Sequence, residues 1–199
     1  EPWNRRDACD LCQVSRLTNL EGVTPGGAVR IAPTLTASHA GEGVASVTGS
    51  VGADLLWTPL PSVAVGAALN PDFSHIEADE VRLDANERFA LFVPERRPFF
   101  LEGADLFATP MRVLFTRSIG DPDAAAKLTA KRGATAVGVI LARDAATQLV
   151  VPGPAGSRFE RLPFASDVAV VRVRRDIGRA SSVGMLATSR TGEGYGNQV

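Results

Sequence analysis

From Gly27 onward, apolar positions alternate with small or polar ones at a period of two, which puts every second side chain on one face of an extended strand. Val29, Ile31, Pro33, Leu35 and Ala37 alternate with Arg30, Ala32, Thr34, Thr36 and Ser38. After a turn at 39–43, Val47, Gly49, Val51, Ala53, Leu55 and Trp57 alternate with Ser46, Thr48, Ser50, Gly52 and Asp54. Residues 58–61 read as a short turn, and Val63, Val65, Ala67 and Leu69 carry the alternation to Asn70. Strands joined by such turns predict an antiparallel meander. The pattern resumes at 111–118, 125–131, 135–143, 167–175 and 181–189. A longer turn is expected over 151–157, and a strand barely begins after Gly192. About eight strands and no convincing helix make the predicted class all-β.

The composition of the two faces narrows the class. A sandwich strand turns branched and aromatic groups into a dry core and long charged groups to water. Here the face opposite the apolar one is largely Ser, Thr, Gly and Ala. An outer-membrane-type barrel strand has about 9–11 residues, an apolar face toward lipid and a polar or small face toward the lumen. Trp57 beside a Thr-Pro turn suits the interface girdle of such a barrel, and Arg172 and Arg174 share the face that would line a wet lumen. A soluble sheet with a water-exposed face remains the alternative from this pattern alone.

One stretch breaks the alternation. Residues 70–103 crowd acidic and basic side chains between Phe73, Phe89, Phe92, Phe99 and Phe100, with X-Pro steps at Pro94 and Pro98. Lone buried charges cost several kcal/mol or more, so a segment this charged and this aromatic needs internal ion pairs and an enclosed, partly wet setting. Arg82, Arg88, Arg96 and Arg97 nearly balance the acids around them, and Lys occurs only at Lys127 and Lys131. The planar fork of Arg suits enclosed pairing better than Lys. The expected organisation is a lead-in segment at 1–26 and a partial barrel domain at 27–199, carrying an inserted plug-like or constriction loop at 70–110. The loop charges would pair with Arg30, Arg112, Arg117 or one another, and Phe99 and Phe100 would wedge against the wall.

The residues Asn70-Pro-Asp-Phe-Ser74, Glu77-Ala-Asp79, Arg88-Phe89 and the run from Phe92 through Glu95-Arg-Arg-Pro-Phe-Phe-Leu-Glu-Gly103 resemble the signature of a large family of bacterial surface proteins of unknown function. In that family a family-9-type carbohydrate-binding β-sandwich precedes a long outer-membrane-type β-barrel. The segments at 16–22 and 115–120 also fit the opening part of that barrel domain. The chain departs from the family pattern at Val93, where a second aromatic is usual, and in its C-x-x-C at Cys9 and Cys12. The resemblance implies a bacterial outer-membrane location, with outer-membrane lipid and carbohydrate as partners, and only the opening portion of a barrel.

Candidate chemistry concentrates in the insert. Asp72, Glu77, Asp79, Arg88, Glu95, Arg96, Arg97, Phe99, Phe100 and Glu102 are the candidate binding or constriction residues. Glu77, Asp79, Glu95 and Glu102 are the candidate catalytic carboxylates, because glycoside hydrolysis needs two carboxyl groups across a scissile bond. Glu77, Asp79 and Asp84 supply oxygen ligands of the kind calcium takes, without the spacing of an EF-hand. No cofactor is indicated. Cys9 and Cys12 fit a redox pair, half of a zinc site or a local disulfide, with no paired His spacing to complete a zinc site. The net charge of -1 and scattered basic residues give no case for nucleic acid. The chain reads as a mature segment or as one cut from something longer. The leading expectation is a non-enzymatic transport or surface-binding protein whose lumen the charged loop narrows. Its rivals are a carbohydrate-active enzyme working through the loop carboxylates and a soluble β-domain that binds glycan.

Overall fold

The computed structural model describes residues 26–40, 46–71, 95–111, 113–153, 156–162, 164–178, 181–192 and 195–198. Its strands are β1 (Ala28–Ala40), β2 (Ser46–Leu60), β3 (Val63–Leu69), β4 (Pro122–Arg132), β5 (Thr135–Asp144), β6 (Thr147–Gly153), β7 (Gly156–Leu162), β8 (Ser166–Ile177), β9 (Ser181–Gly192) and β10 (Tyr195–Gln198). Eight of them form one antiparallel sheet in the order β1-β2-β3-β4-β5-β8-β9-β10, and β6 and β7 pair as a separate hairpin. The sheet is not closed: β1 and β10 are its edges. The all-β class and the meander expected from the alternation are both present.

Two expectations are corrected. No strand forms among the described residues of 111–118; a 3-10 turn occupies Thr116–Ser118 instead, with the Thr116 carbonyl taken by Ile119 N–H and by Arg97. The stretch expected as a long turn at 151–157 is the tip of the β6–β7 hairpin, with Pro152 opposite Ser157 and Gly153 opposite Gly156. Pro and Gly marked the reversal correctly but concealed the pairing on either side of it. Among the described residues there is one turn of α-helix, α1 (Pro98–Leu101), and a second 3-10 turn at Ala104–Phe107. No described helix is long and apolar enough to cross a membrane, a fact that says nothing about crossing by strands.

The connections are unequal at the two ends of the sheet. Residues 61–62 and 133–134 make the short turns β2–β3 and β4–β5, and the β8–β9 connection that begins at Gly178 lies at the same end. The opposite end carries the 70–121 insert and the β6–β7 hairpin. Gly133 and Gly178 hold positive φ angles of 57° and 67°, the left-handed backbone that such short reversals demand and that glycine adopts without a Cβ clash.

Register carries the alternation across the sheet. Gly66 faces Lys127, Lys127 faces Ile140, and Ile140 faces Val170, all on one side; Val65, Leu128, Val139 and Val171 run parallel on the other. The first face is where the core lies. Ala68, Ala125, Ile140, Ala142, Val168 and Val170 are buried there against Phe99, Phe100, Phe107 and Ile119 from the insert. The second face is apolar and open: Ile31 is 67% exposed, Leu35 80%, Val51 69% and Met185 61%. Trp57 lies on this open face between Val29 and Val65. Among the described residues no second sheet seals these side chains, so they do not show the sandwich arrangement in which Val51, Val63 and Val65 would be core.

Candidate functional site: the insert on the inner face

The insert is tied down where it leaves and rejoins the sheet. At its start, Asn70 takes a φ of 42°, and its side-chain amide donates to Ser50 Oγ at 3.0 Å and to the Val51 carbonyl at 2.7 Å. An asparagine tolerates this left-handed backbone better than most residues. At its end, the fully buried Asp144 carboxylate accepts the backbone N–H of Asp121 at 2.8 Å and of Gly120 at 3.3 Å. Arg190 from β9 pairs with the same carboxylate at 3.2 Å and donates to Ser166 Oγ and Ser118 Oγ. A buried carboxylate left alone would be costly, and this one is met by three donors from two segments, the 120–121 backbone and β9.

Between these anchors the chain builds a clamp on Arg97. Its guanidinium is 1% exposed and meets Glu95 in a two-pronged pair, Nε to Oε1 at 2.8 Å and Nη2 to Oε2 at 2.7 Å. Its remaining donors reach the Ile119 carbonyl at 2.6 Å and the Thr116 carbonyl at 2.9 Å. The Arg97 Cζ sits 4.3 Å from the Phe100 ring centre, a cation–π contact. The Thr116 hydroxyl adds a 2.6 Å bond to Glu95 Oε2, and the backbone N–H groups of Arg96 and Arg97 donate to Oε1. Burial acts to raise the Glu95 pKa, but the Arg97 hydrogen bonds and charge, with Thr116, outweigh it and hold the carboxyl below its usual value. Glu95 is therefore an ionised, fully engaged acceptor that closes 95–119 on itself.

The sheet holds this unit mainly through its backbone and rings. Lys127 projects from β4 into the core and donates to the Phe99 and Glu102 carbonyls, which α1 leaves free at its C-terminal end. Its ammonium also lies 5.1 Å from the Phe99 ring centre. Arg172 of β8 donates to the Leu106 carbonyl at 3.3 Å. The small residues of the inner face make room for the rings. Phe99 rides over Gly66, and a Cβ on Gly138 would stand 2.6 Å from Phe107 Cζ, inside any real contact distance. Phe99 and Phe100 meet edge to face at 5.0 Å, a favoured aromatic geometry. Gly103, with φ of 64°, turns the chain from α1 into the next 3-10 turn close to Thr129.

Of the candidate residues, the structure brings Glu95, Arg97, Phe99 and Phe100 together on the inner face. Arg96 and Glu102 have exposed side chains, with Glu102 engaged through its carbonyl. Asp72, Glu77, Asp79, Asp84 and Arg88 lie outside the described residues, as do Cys9 and Cys12. Among the described residues no three His, Cys, Asp or Glu side chains gather as metal ligands. The partners that sequence reasoning missed are Lys127, Asp144, Thr116, Arg190 and Phe107. Lys127 carried a signal: it is one of two lysines and occupies an inner-face position in the period-two count. Asp144 and Arg190 sat at strand ends, where a charge is ordinarily solvated.

The inner face is not completely filled. An open cleft of about 700 Å³ lies at the short-turn end, between the insert residues Glu102, Asp105 and Leu106 and the sheet residues Thr129, Arg174 and Asp176. A smaller one of about 230 Å³ sits among Phe100, Phe107, Leu114 and Ile140.

Residues 31–150 match the family described as Domain of unknown function (DUF5916). The chain belongs to the DUF5916 family. No curated protein and no solved structure matches it. The matched region runs from β1 into β6 and spans the insert, so it covers more than the meander alone.

Proposed function

We propose that this DUF5916 chain forms part of the wall of an outer-membrane β-barrel whose lumen is narrowed by the 70–121 insert, serving transport or surface binding and not catalysis. The observation that carries this reading is the contrast between faces: the apolar side chains are turned outward and left open, and the small and polar side chains are turned inward onto a charged, aromatic plug. A water-soluble domain rarely leaves so large a contiguous apolar face uncovered. Barrel architecture supplies lipid to that face and requires the inner face to be small or polar. Short turns at one end and long connections at the other agree with the usual asymmetry of such barrels. Outer-membrane lipid is the partner this reading requires, and an upstream carbohydrate-binding module belongs to the same proposal.

The plug's chemistry suits a fixed constriction. Glu95 spends both carboxylate oxygens on Arg97, Thr116 and backbone donors, so its charge serves to hold the plug's shape. Solutes would then pass beside the plug through the cleft at the short-turn end, whose lining charges set preference as charged rings do in other pores. The test is single-channel conductance of the full-length protein in a planar bilayer, with and without residues 70–103. Deletion should raise the conductance; an unchanged conductance rejects the constriction.

A further inference from the structure

The open face is apolar along its middle and charged at its borders. On β8 the outward positions run Asp167, Ala169, Val171, Val173 and Arg175; on β5 they run Thr135, Val137, Val139, Leu141 and Arg143. Asp167 and Arg143 pair with each other at 2.8 Å, marking the border at the long-connection end. At the short-turn end the register sets Arg132 opposite Thr135 and Thr135 opposite Arg175, so two exposed arginines flank one threonine on three adjacent strands. The eight residue steps between Asp167 and Arg175 cover roughly 26 Å along the strand. At a tilt of about 40° that is roughly 20 Å of height, close to the apolar band of about 25 Å on outer-membrane barrels.

The two borders differ in kind. Arg143 has its countercharge in Asp167. Arg132 and Arg175 face each other across Thr135 with no carboxylate at any of the three positions, at a backbone separation of roughly 10 Å set by two strand spacings. Two guanidinium groups on stems long enough to close that distance, with a hydroxyl between them, offer the donors that phosphate oxygens take. At the edge of an apolar band a phospholipid would bring such a phosphate, with its acyl chains along Val137, Val139, Val171 and Val173.

We infer that Arg132, Thr135 and Arg175 form a headgroup site for an anionic phospholipid at the short-turn border of the apolar face. The inference rests on the barrel reading above and adds the lipid class and its place. It is tested on the full-length protein released from nanodiscs of mixed phosphatidylcholine and phosphatidylglycerol, with retained lipids counted by native mass spectrometry. Phosphatidylglycerol should be enriched, and the enrichment should fall about five-fold for each arginine lost in Arg132→Gln and Arg175→Gln, the effect typical of a basic residue at a membrane surface. Arg143→Gln should leave it unchanged. The charge-keeping pair Arg132→Lys with Arg175→Lys should retain part of the enrichment, which separates loss of the site from loss of the fold. Millimolar inorganic phosphate should not reduce it; competition by phosphate would reassign the site to a free anion and overturn the lipid proposal. Equal retention of both lipids, or enrichment untouched by the double Gln variant, also overturns it. Failure of the wild-type protein to enter nanodiscs at all would instead overturn the barrel reading beneath it.

Discussion

The two faces of the sheet come from the same strands and the same alternation, yet they are finished in opposite ways. The inner face reaches a dense, specific core: Ala68 is 0% exposed and Ile140 and Val170 1%, because Phe99, Phe100 and Phe107 fill the space left by Gly66, Gly138 and the alanines. The outer face has larger side chains and buries them less. What decides burial here is the presence of a partner of complementary shape, not the hydrophobicity of the strand. The inner face carries its partner in the chain, held by backbone-directed cations; among the described residues nothing of complementary shape covers the outer face.

The contrast can be broken hardest at the clamp. Arg97→Ala leaves the part-buried Glu95 without its cation and the Ile119 carbonyl without its Arg97 donor, and should cost about 3–5 kcal/mol, the usual loss on removing one partner of a buried pair; urea denaturation in detergent would measure it. Phe107→Ala should cost about 3–5 kcal/mol by opening a cavity over Gly138, and the same titration applies. On the outer face, Val171→Arg distinguishes the two solvents: a loss of about 2–4 kcal/mol is expected at the middle of a lipid-facing band, whereas a water-facing position would change by less than about 0.5 kcal/mol. Gly138→Ala should cost about 1–3 kcal/mol by overpacking against Phe107; a neutral result would mean that the plug yields at that point.

The smallest effect is one of pH. The Glu95 carboxyl titrates below its unfolded value of about 4.3. Its contribution is fully present above that value and is lost as pH falls through the lower folded pKa. The stability gap between the wild type and Glu95→Gln should therefore persist at neutral pH and narrow only in acid, which a series of denaturation curves from pH 7 to pH 3 would follow. A gap that narrows between pH 8 and pH 6 would point to a different group.

Much of the wall was legible in the chain. Period-two alternation located the β1 to β5, β8 and β9 strands to within a few residues, because a pleated strand forces neighbouring side chains to opposite faces whatever their surroundings. The small residues of one face read as a lumen lining; that they admit the rings of Phe99 and Phe107 came only from the structure. The charges and aromatic rings of 70–103 marked an enclosed insert, since they have no stable place in open water or in a plain core. Residues 111–118 misled because Val113 and Phe115 mimic an alternating strand, while their backbone is spent on a turn that answers Arg97. The β6–β7 hairpin misled because Pro152 and Gly153 carry the composition of a loop into a paired segment.

Local sequence thus determined which residues extend, where they reverse and which face each side chain takes, since those follow from backbone geometry over a few neighbours. Only the tertiary structure decided that Arg97 answers Thr116 and Ile119, that Lys127 caps α1 from across the sheet, and that Asp144 and Arg190 close the insert's return. Such pairings join positions about 20 to 50 residues apart, and the spacing between them in sequence carries no distance in space until the sheet register is fixed.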